Sequence, residues 1–166
     1  MKIGAVDHSH LESIRHIEHG NYPKHLHDTN SVLNTIVSYN NDFCFIAQEN
    51  AIIVGYLIAY PSDSQREDFH LGYIKTDVID CIYVHDLCIC TSVKNRGIGT
   101  ILFNHLQTTA KSAGFQKIIG ISVNDSIEFW RKNGFIRVSS HNYNGAIGHK
   151  IEHTISFTCT NSTSLK

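Results

Sequence analysis

The sequence predicts an α/β protein built on one mixed sheet of six to seven strands with helices on both faces. Three observations predict it. Strand-length apolar runs and helix-period segments follow each other in the order β-α-α-β-β-β-α-β-α-β-β. The 166 residues are 42% apolar and carry only two prolines, enough to bury one core and too ordered in composition for a disordered chain. No repeat or linker divides them, so residues 1–160 are expected to form one domain and 161–166 a polar tail.

The elements follow in order. Lys2–Val6 reads as a first strand. Ser9-His10-Leu11-Glu12 has the form of a capping box, and Leu11, Ile14 and Ile17 recur at helical spacing after it. Val32, Leu33, Ile36 and Val37 make a second amphipathic helix ending near Asn40-Asn41. Phe43–Gln48 and Ile52–Tyr60 are strand runs joined at Glu49-Asn50-Ala51, a hairpin in which Asn50 tolerates positive φ. The polar stretch Ser62–Phe69 reads as a loop, and Val78–Cys90 as a long strand with Asp80 and Asp86 inside it. Leu102, Leu106, Ala110 and Ala113 stripe a helix that Gly114 stops. Lys117–Val123 is a strand, after which Asn124 or Asp125 caps a helix ending at Asn133-Gly134. Phe135–Ser139 and Ile151–Cys159 are the last two strands.

Charge and cysteine content exclude several classes. Fourteen basic and 15 acidic residues give a net charge of −1, so there is no global attraction to nucleic acid or an anionic membrane. No apolar run has the length of a membrane span, and the start has no signal-peptide core. The five cysteines lack a Cys-x-x-Cys spacing and read as reduced core residues of a cytoplasmic protein. Twelve histidines invite a metal reading, but none of the close pairs (His8/His10, His16/His19, His25/His27) has a cysteine nearby, and no metal is expected.

The chemistry concentrates between Cys88 and Thr100. A strand ends, Lys94-Asn95-Arg96-Gly97-Ile98-Gly99 forms a basic turn, and a helix begins at once. The start of a helix presents unpaired N–H groups and partial positive charge, and glycines let an oxygen-rich group approach them. A phosphate or pyrophosphate site is expected there. The turn matches neither a Walker loop nor, with Leu102 at the third glycine position, a dinucleotide fingerprint.

The strand Tyr83–Cys90, the Lys94-x-x-Gly97-x-Gly99 turn and the later Asn124–Phe135 segment together resemble the GNAT N-acetyltransferases. That family's signatures are [Q/R]-x-x-G-x-[G/A] and N-x-x-[A/S]-x-x-F-Y-x-x-x-G-F. The pieces Ile17–Pro23 and Gly55–Pro61 resemble its arylalkylamine branch. The resemblance implies acetyl-CoA as acetyl donor and direct transfer to a primary amine, with a small molecule as acceptor and a monomer or homodimer as the working unit. A protein N-terminus or lysine as acceptor, or a CoA-binding module without turnover, stand as alternatives. Cys88, Ile89 and Cys90 would pair with the pantetheine arm through their backbone, with an N–H near Cys88 polarising the thioester carbonyl. Lys94 and the backbone of Asn95, Arg96, Gly97, Ile98, Gly99 and Thr100 would hold the pyrophosphate. Asn124 would touch the arm, and Phe129 and Trp130 would line the thiol end. Two positions depart from the pattern: Lys94 replaces Gln or Arg, and Trp130 replaces the tyrosine that protonates the leaving thiolate. An indole N–H cannot act as an acid near neutral pH, which leaves Tyr83, Tyr143 or solvent for that task.

An amine must lose a proton before it attacks. Asp86 and His85 are the candidates. Strict alternation puts Val84, Asp86 and Cys88 on one face of their strand and Tyr83, His85 and Leu87 on the other. A carboxylate inside a strand reads either as a proton relay or as a group that orders a strand bulge. A covalent route through Cys88 or Cys90 is the less direct chemistry. Acceptor selection falls to the first two helices and the Ser62–Gly72 loop. There Glu18, Asp28, Glu67 and Asp68 would attract a cation or stand as ordinary solvated charges, and Tyr22, Tyr39, Tyr60 and Phe69 would line an aryl pocket or, as residues of their type more often do, pack in the core.

Overall fold

Seven strands form one sheet in the order β1-β2-β3-β4-β5-β7-β6. The structure is a computed structural model, and it describes residues 1–69, 73, 75–143 and 145–156. The strands are β1 (Lys2–Ala5), β2 (Phe45–Glu49), β3 (Ile52–Ser62), β4 (Cys81–Ile89), β5 (Lys117–Ser122), β6 (Ile136–Tyr143) and β7 (Ala146–Thr154). The helices are α1 (Leu11–His19), α2 (Asn30–Asn40), α3 (Ile98–Ser112) and α4 (Ile127–Lys132). The order of elements is the one the hydrophobic periodicity predicts.

All neighbouring strands are antiparallel except β4 and β5. Those two run parallel, because α3 carries the chain from the end of one to the start of the other. Their pairing spans only Ile82–Val84 against Ile118–Gly120. Beyond it the two strands separate, and the sheet opens.

Each face of the sheet has its own apolar layer. α1 and α2 place Leu11, Ile14, Leu33 and Ile36 against Tyr56, Ile58 and Tyr83. α3 and α4 place Leu102, Phe103, Leu106 and Trp130 against Leu57, Ile82, Val84 and Ile118. Gly114, at φ +87°, ends α3 as expected. The β2–β3 turn uses two left-handed residues, Asn50 at φ 49° and Ala51 at φ 63°.

Several local expectations differ from the structure; β4 begins at Cys81, not Val78, and Asp80 stands before it, held by Ser64. The first cap is Asp7, whose side chain accepts from the Ser9 N–H at 2.8 Å while His10 Nδ1 accepts from the Asp7 N–H at 3.1 Å. The chain takes a 3-10 turn before α1, which moves the capping box two residues towards the N-terminus. Neither Asn124 nor Asp125 caps α4 through its side chain; both sit at positive φ, 51° and 57°, and Ser126 precedes the helix. The last strand begins at Ala146, five residues before the apolar run at Ile151. It is a polar strand on which Lys150 is buried, its ammonium donating to the Ser64 carbonyl at 3.1 Å. The expected end of that strand at Cys159 and the tail 161–166 lie outside the described residues.

Candidate active site

The separation of β4 from β5 opens a cavity of about 680 Å³. β4 from Val84 to Ile89 forms one wall, and Gly120, Ile121 and Val123 the other. The start of α3 closes one end, and α1 with the connection to α2 closes the opposite end.

The α3 end combines a helix start with a lysine. Gly97 precedes the helix at φ +78°, a left-handed conformation that costs glycine little. Asn95 adopts φ 64° in the same turn. Ile98, Gly99 and Thr100 therefore start α3 with their N–H groups at the cavity, beside Lys94. Gly99 serves packing more than ligand approach: a Cβ there would lie 3.1 Å from the Phe129 ring and 3.3 Å from Leu87.

Of the anticipated ligand contacts, Cys88, Ile89, Lys94, Asn95, Gly97, Ile98, Gly99, Thr100, Asn124, Phe129 and Trp130 all line the cavity. Arg96 and Cys90 are not among its lining residues. The Arg96 guanidinium grips Glu49 with two bonds of 2.8 and 3.0 Å, drawn there by a carboxylate on the neighbouring β2. The Cys90 N–H donates to the Val54 carbonyl at 2.8 Å, so the β3 ladder already uses it. Trp130 is 8% exposed and packs edge-on to Phe103 and Phe135. Its indole is as much core as lining.

The opposite end gathers ionisable groups. The strict alternation expected of β4 fails at His85. Ile58 of β3 faces Asp86 and Ala59 faces Val84, so His85 is the extra residue of a bulge. The bulge turns His85 to the same face as Asp86 and Cys88, while Val84 joins Leu87 on the α3 face. Relative to Asp86 and Cys88, sequence alternation therefore misplaces Tyr83, Val84 and His85.

Asp86 accepts hydrogen bonds from Tyr22 at 2.7 Å and from Tyr56. Burial raises the Asp86 carboxyl above its ordinary range, and the two phenols only partly offset that. Burial and the adjacent Asp86 push both phenols well above theirs, so they stay protonated. His85 Nε2 meets Asp28 Oδ2 at 2.6 Å, while Nδ1 is buried with no partner. Burial pulls the imidazole down, but Asp28 outweighs it, and the His85 pKa stands above 6.5.

Glu18 stands behind them. It is 2% exposed and lines the cavity. Oε1 accepts the Asp28 N–H at 2.7 Å, and Oε2 has no partner. Burial lifts this carboxyl from 4.5 to about 7.

The chain's sequence from residue 11 to 135 matches the Acetyltransferase (GNAT) family. The chain belongs to the GNAT acetyltransferase family. No curated protein matches it in sequence. Its fold is similar to that of a GphF GNAT-like decarboxylase in complex with isobutyryl-CoA, with a TM-score of 0.80 at 15% identity over 94% of this chain and 100% of that one. An aminoglycoside 6'-N-acetyltransferase complexed with coenzyme A gives 0.73 at 16% identity, covering 95% and 98% of the two chains. The ribosomal-protein-S18-alanine N-acetyltransferase from Escherichia coli gives 0.70 at 16% identity, covering 96% and 97%. At this identity the likenesses show a shared GNAT fold.

Several anticipated GNAT acceptor-site residues lie elsewhere. Tyr60 and Phe69 are buried in the α1/α2 layer, and Tyr39 is exposed. Asp68 pairs with Arg66, and Glu67 stands 3.4 Å from Lys150. Tyr83 stacks on Phe69, away from the cavity lining, and the Tyr143 side chain lies outside the described residues. Tyr22, Glu18 and Asp28 do line the cavity. Tyr56, which the sequence reading passed over, completes the hold on Asp86. Glu18 had a legible signal: at four residues after Ile14 and seven after Leu11 it falls on the buried stripe of α1. Among the described residues, no group of three or more His, Cys, Asp or Glu side chains converges as a metal site.

Proposed function

We propose that the protein is an acetyl-CoA-dependent N-acetyltransferase that transfers the acetyl group directly to a primary amine of a small molecule. The observation that carries this reading is a single cavity with an anion-binding helix start at one end and proton-accepting groups at the other. The amides at Ile98–Thr100, with Lys94, receive the pyrophosphate; the open edge of β4 at Cys88–Ile89 receives the arm; Asn124 and Phe129 flank it. An N–H of β4 close to Cys88, that of Leu87 or Ile89, which alternate away from the β3 ladder, is the donor assigned to the thioester oxygen.

His85 and Asp86 divide the proton work. With Nε2–H given to Asp28, the His85 Nδ1 lone pair has no partner and is the acceptor assigned to the amine's proton. It takes the proton from the ammonium, and the neutral nitrogen attacks the thioester carbon. The carbon–sulfur bond then breaks, the nitrogen of the tetrahedral adduct sheds its second proton to solvent, which delivers one to the leaving thiolate, and the N-acetyl amine and CoA thiol form. Asp86 holds Tyr22 and Tyr56 in place and keeps a negative potential beside the imidazolium that forms. Among the described residues Cys44, Cys81, Cys88 and Cys90 form no disulfide, which suits a reducing cytoplasm.

Release of CoA thiol from acetyl-CoA, measured across a panel of small amines, tests the reading. His85→Gln and Asp86→Asn should each lower kcat by ~100-fold or more with the KM for acetyl-CoA within twofold, the size of a lost general base. Full turnover in both variants would remove them from the reaction. Burial of Trp130 at the tyrosine position favours a second reading, a CoA-binding module without turnover. CoA binding with no thiol release for any amine or peptide would establish it.

A further inference from the structure

The far end of the cavity holds more negative charge than the transfer reaction needs. Glu18, Asp28 and Asp86 all line it. Asp86 spends both oxygens on tyrosine hydroxyls, and Asp28 is bonded to His85. Glu18 is different. Its Oε1 is used by the Asp28 N–H, yet Oε2 is buried and has no donor, with His19 Nε2 at 3.9 Å, beyond hydrogen-bond reach. A buried carboxylate oxygen without a donor is costly unless a ligand supplies one. Among the described residues lining the cavity, the one lysine or arginine is Lys94, and it sits at the opposite, α3 end. Among the described residues lining the cavity, the protein therefore offers Glu18 no lysine or arginine near it, only the imidazoles of His19 at 3.9 Å and of His27 outside that lining.

We infer that Glu18 anchors a second cationic centre of the acceptor, so that the substrate class is an aliphatic diamine or polyamine rather than a simple monoamine. The inference rests on the N-acetyltransferase reading above and sharpens it. One nitrogen gives up its proton at His85 and reacts. The other stays an ammonium and donates to Glu18 Oε2. The two tasks fall to different elements, β4 for the reacting nitrogen and α1 for the anchored one, which favours a flexible chain between the two nitrogens.

Glu18 is ionised only above about pH 7, which adds a pH signature. The groups that bear on it are His19 and Tyr22 around the end of α1, His27 and Asp28 on the connection, and His85 and Asp86 on β4.

The test is calorimetric binding of butane-1,4-diamine and of 1-aminobutane to the full chain saturated with CoA, at pH 8 and pH 6. The wild type should bind the diamine at least tenfold more tightly than the monoamine at pH 8, and lose most of that preference at pH 6. Glu18→Gln, which keeps the Oε1 bond to Asp28, should erase the preference at pH 8. Equal binding of the two amines, no measurable diamine binding, or a preference that survives Glu18→Gln overturns the inference. Should Glu18→Gln not fold, Glu18→Ala takes its place in the pH 8 comparison, a preference that survives it counting against Glu18. The broader reading fails separately: a Glu18-dependent preference for diamine with no thiol release leaves the anchor standing and removes the transferase. Acetylation of both amines without preference does the reverse.

Discussion

Glu18 carries its charge at a cost to the fold. Its carboxyl ionises at about 7 in the folded protein against 4.5 as an ordinary glutamate. The folded state thus binds the proton more tightly than the unfolded state does. Stability is greatest below pH 4.5 as far as this group is concerned, declines as pH rises to 7, and stays low above that. Glu18→Gln removes the penalty and should raise unfolding stability at pH 8 by roughly 1–3 kcal/mol. The gain should vanish below pH 4.5, which paired urea titrations of variant and wild type would measure. His85 follows a related rule. A base works only when deprotonated, so the acid limb of kcat/KM should have its midpoint above pH 6.5. Asp28→Asn removes the carboxylate that raises that pKa and should move the limb to lower pH while slowing the reaction. Trp130 belongs to the same scale: cutting it to alanine empties a pocket between Phe103 and Phe135 and should cost ~3–5 kcal/mol, checked by thermal unfolding.

At the scale of elements, periodicity was legible and its interruptions were not. The helix stripes Leu11-Ile14-Ile17 and Leu102-Leu106-Ala110 identify α1 and α3, because burial selects apolar residues every third or fourth position. The turn from Lys94 to Gly99 is equally readable, since a helix start after a glycine needs no tertiary partner to expose its amides. The bulge at His85 is set instead by the register of β4 against β3, a long-range property with no local residue pattern. Arg96 is similar: its charge is plain in the sequence, but its partner Glu49 is brought beside it only by the sheet. β7 was shifted because Lys150 finds backbone carbonyls and an apolar-run criterion takes no account of a satisfied buried amine. Gly99 gives an element-scale prediction. Gly99→Ala pushes its Cβ against the Phe129 ring, and the α3–α4 contact should loosen by ~1–3 kcal/mol, with weaker CoA binding by calorimetry.

At the scale of the whole molecule, the sheet has a seam. Strands β1 to β4 form one antiparallel meander, and β5, β7 and β6 form another. Within the sheet the two are joined by three residue pairs, Ile82–Val84 with Ile118–Gly120, and a cavity fills the rest of the boundary. Few backbone bonds therefore hold the halves in register across that line, and either half can open with little loss of its own hydrogen bonds. A ligand lying along β4 in the cavity would act as a rivet, touching both halves at once. Binding would then do more than raise the melting temperature by mass action. It would also slow amide exchange at Leu87–Ile89 and Ile121–Ser122 together, on the two sides of that line. The seam thus makes a bound ligand a temporary part of the fold, bridging the sheet where its own strands do not pair.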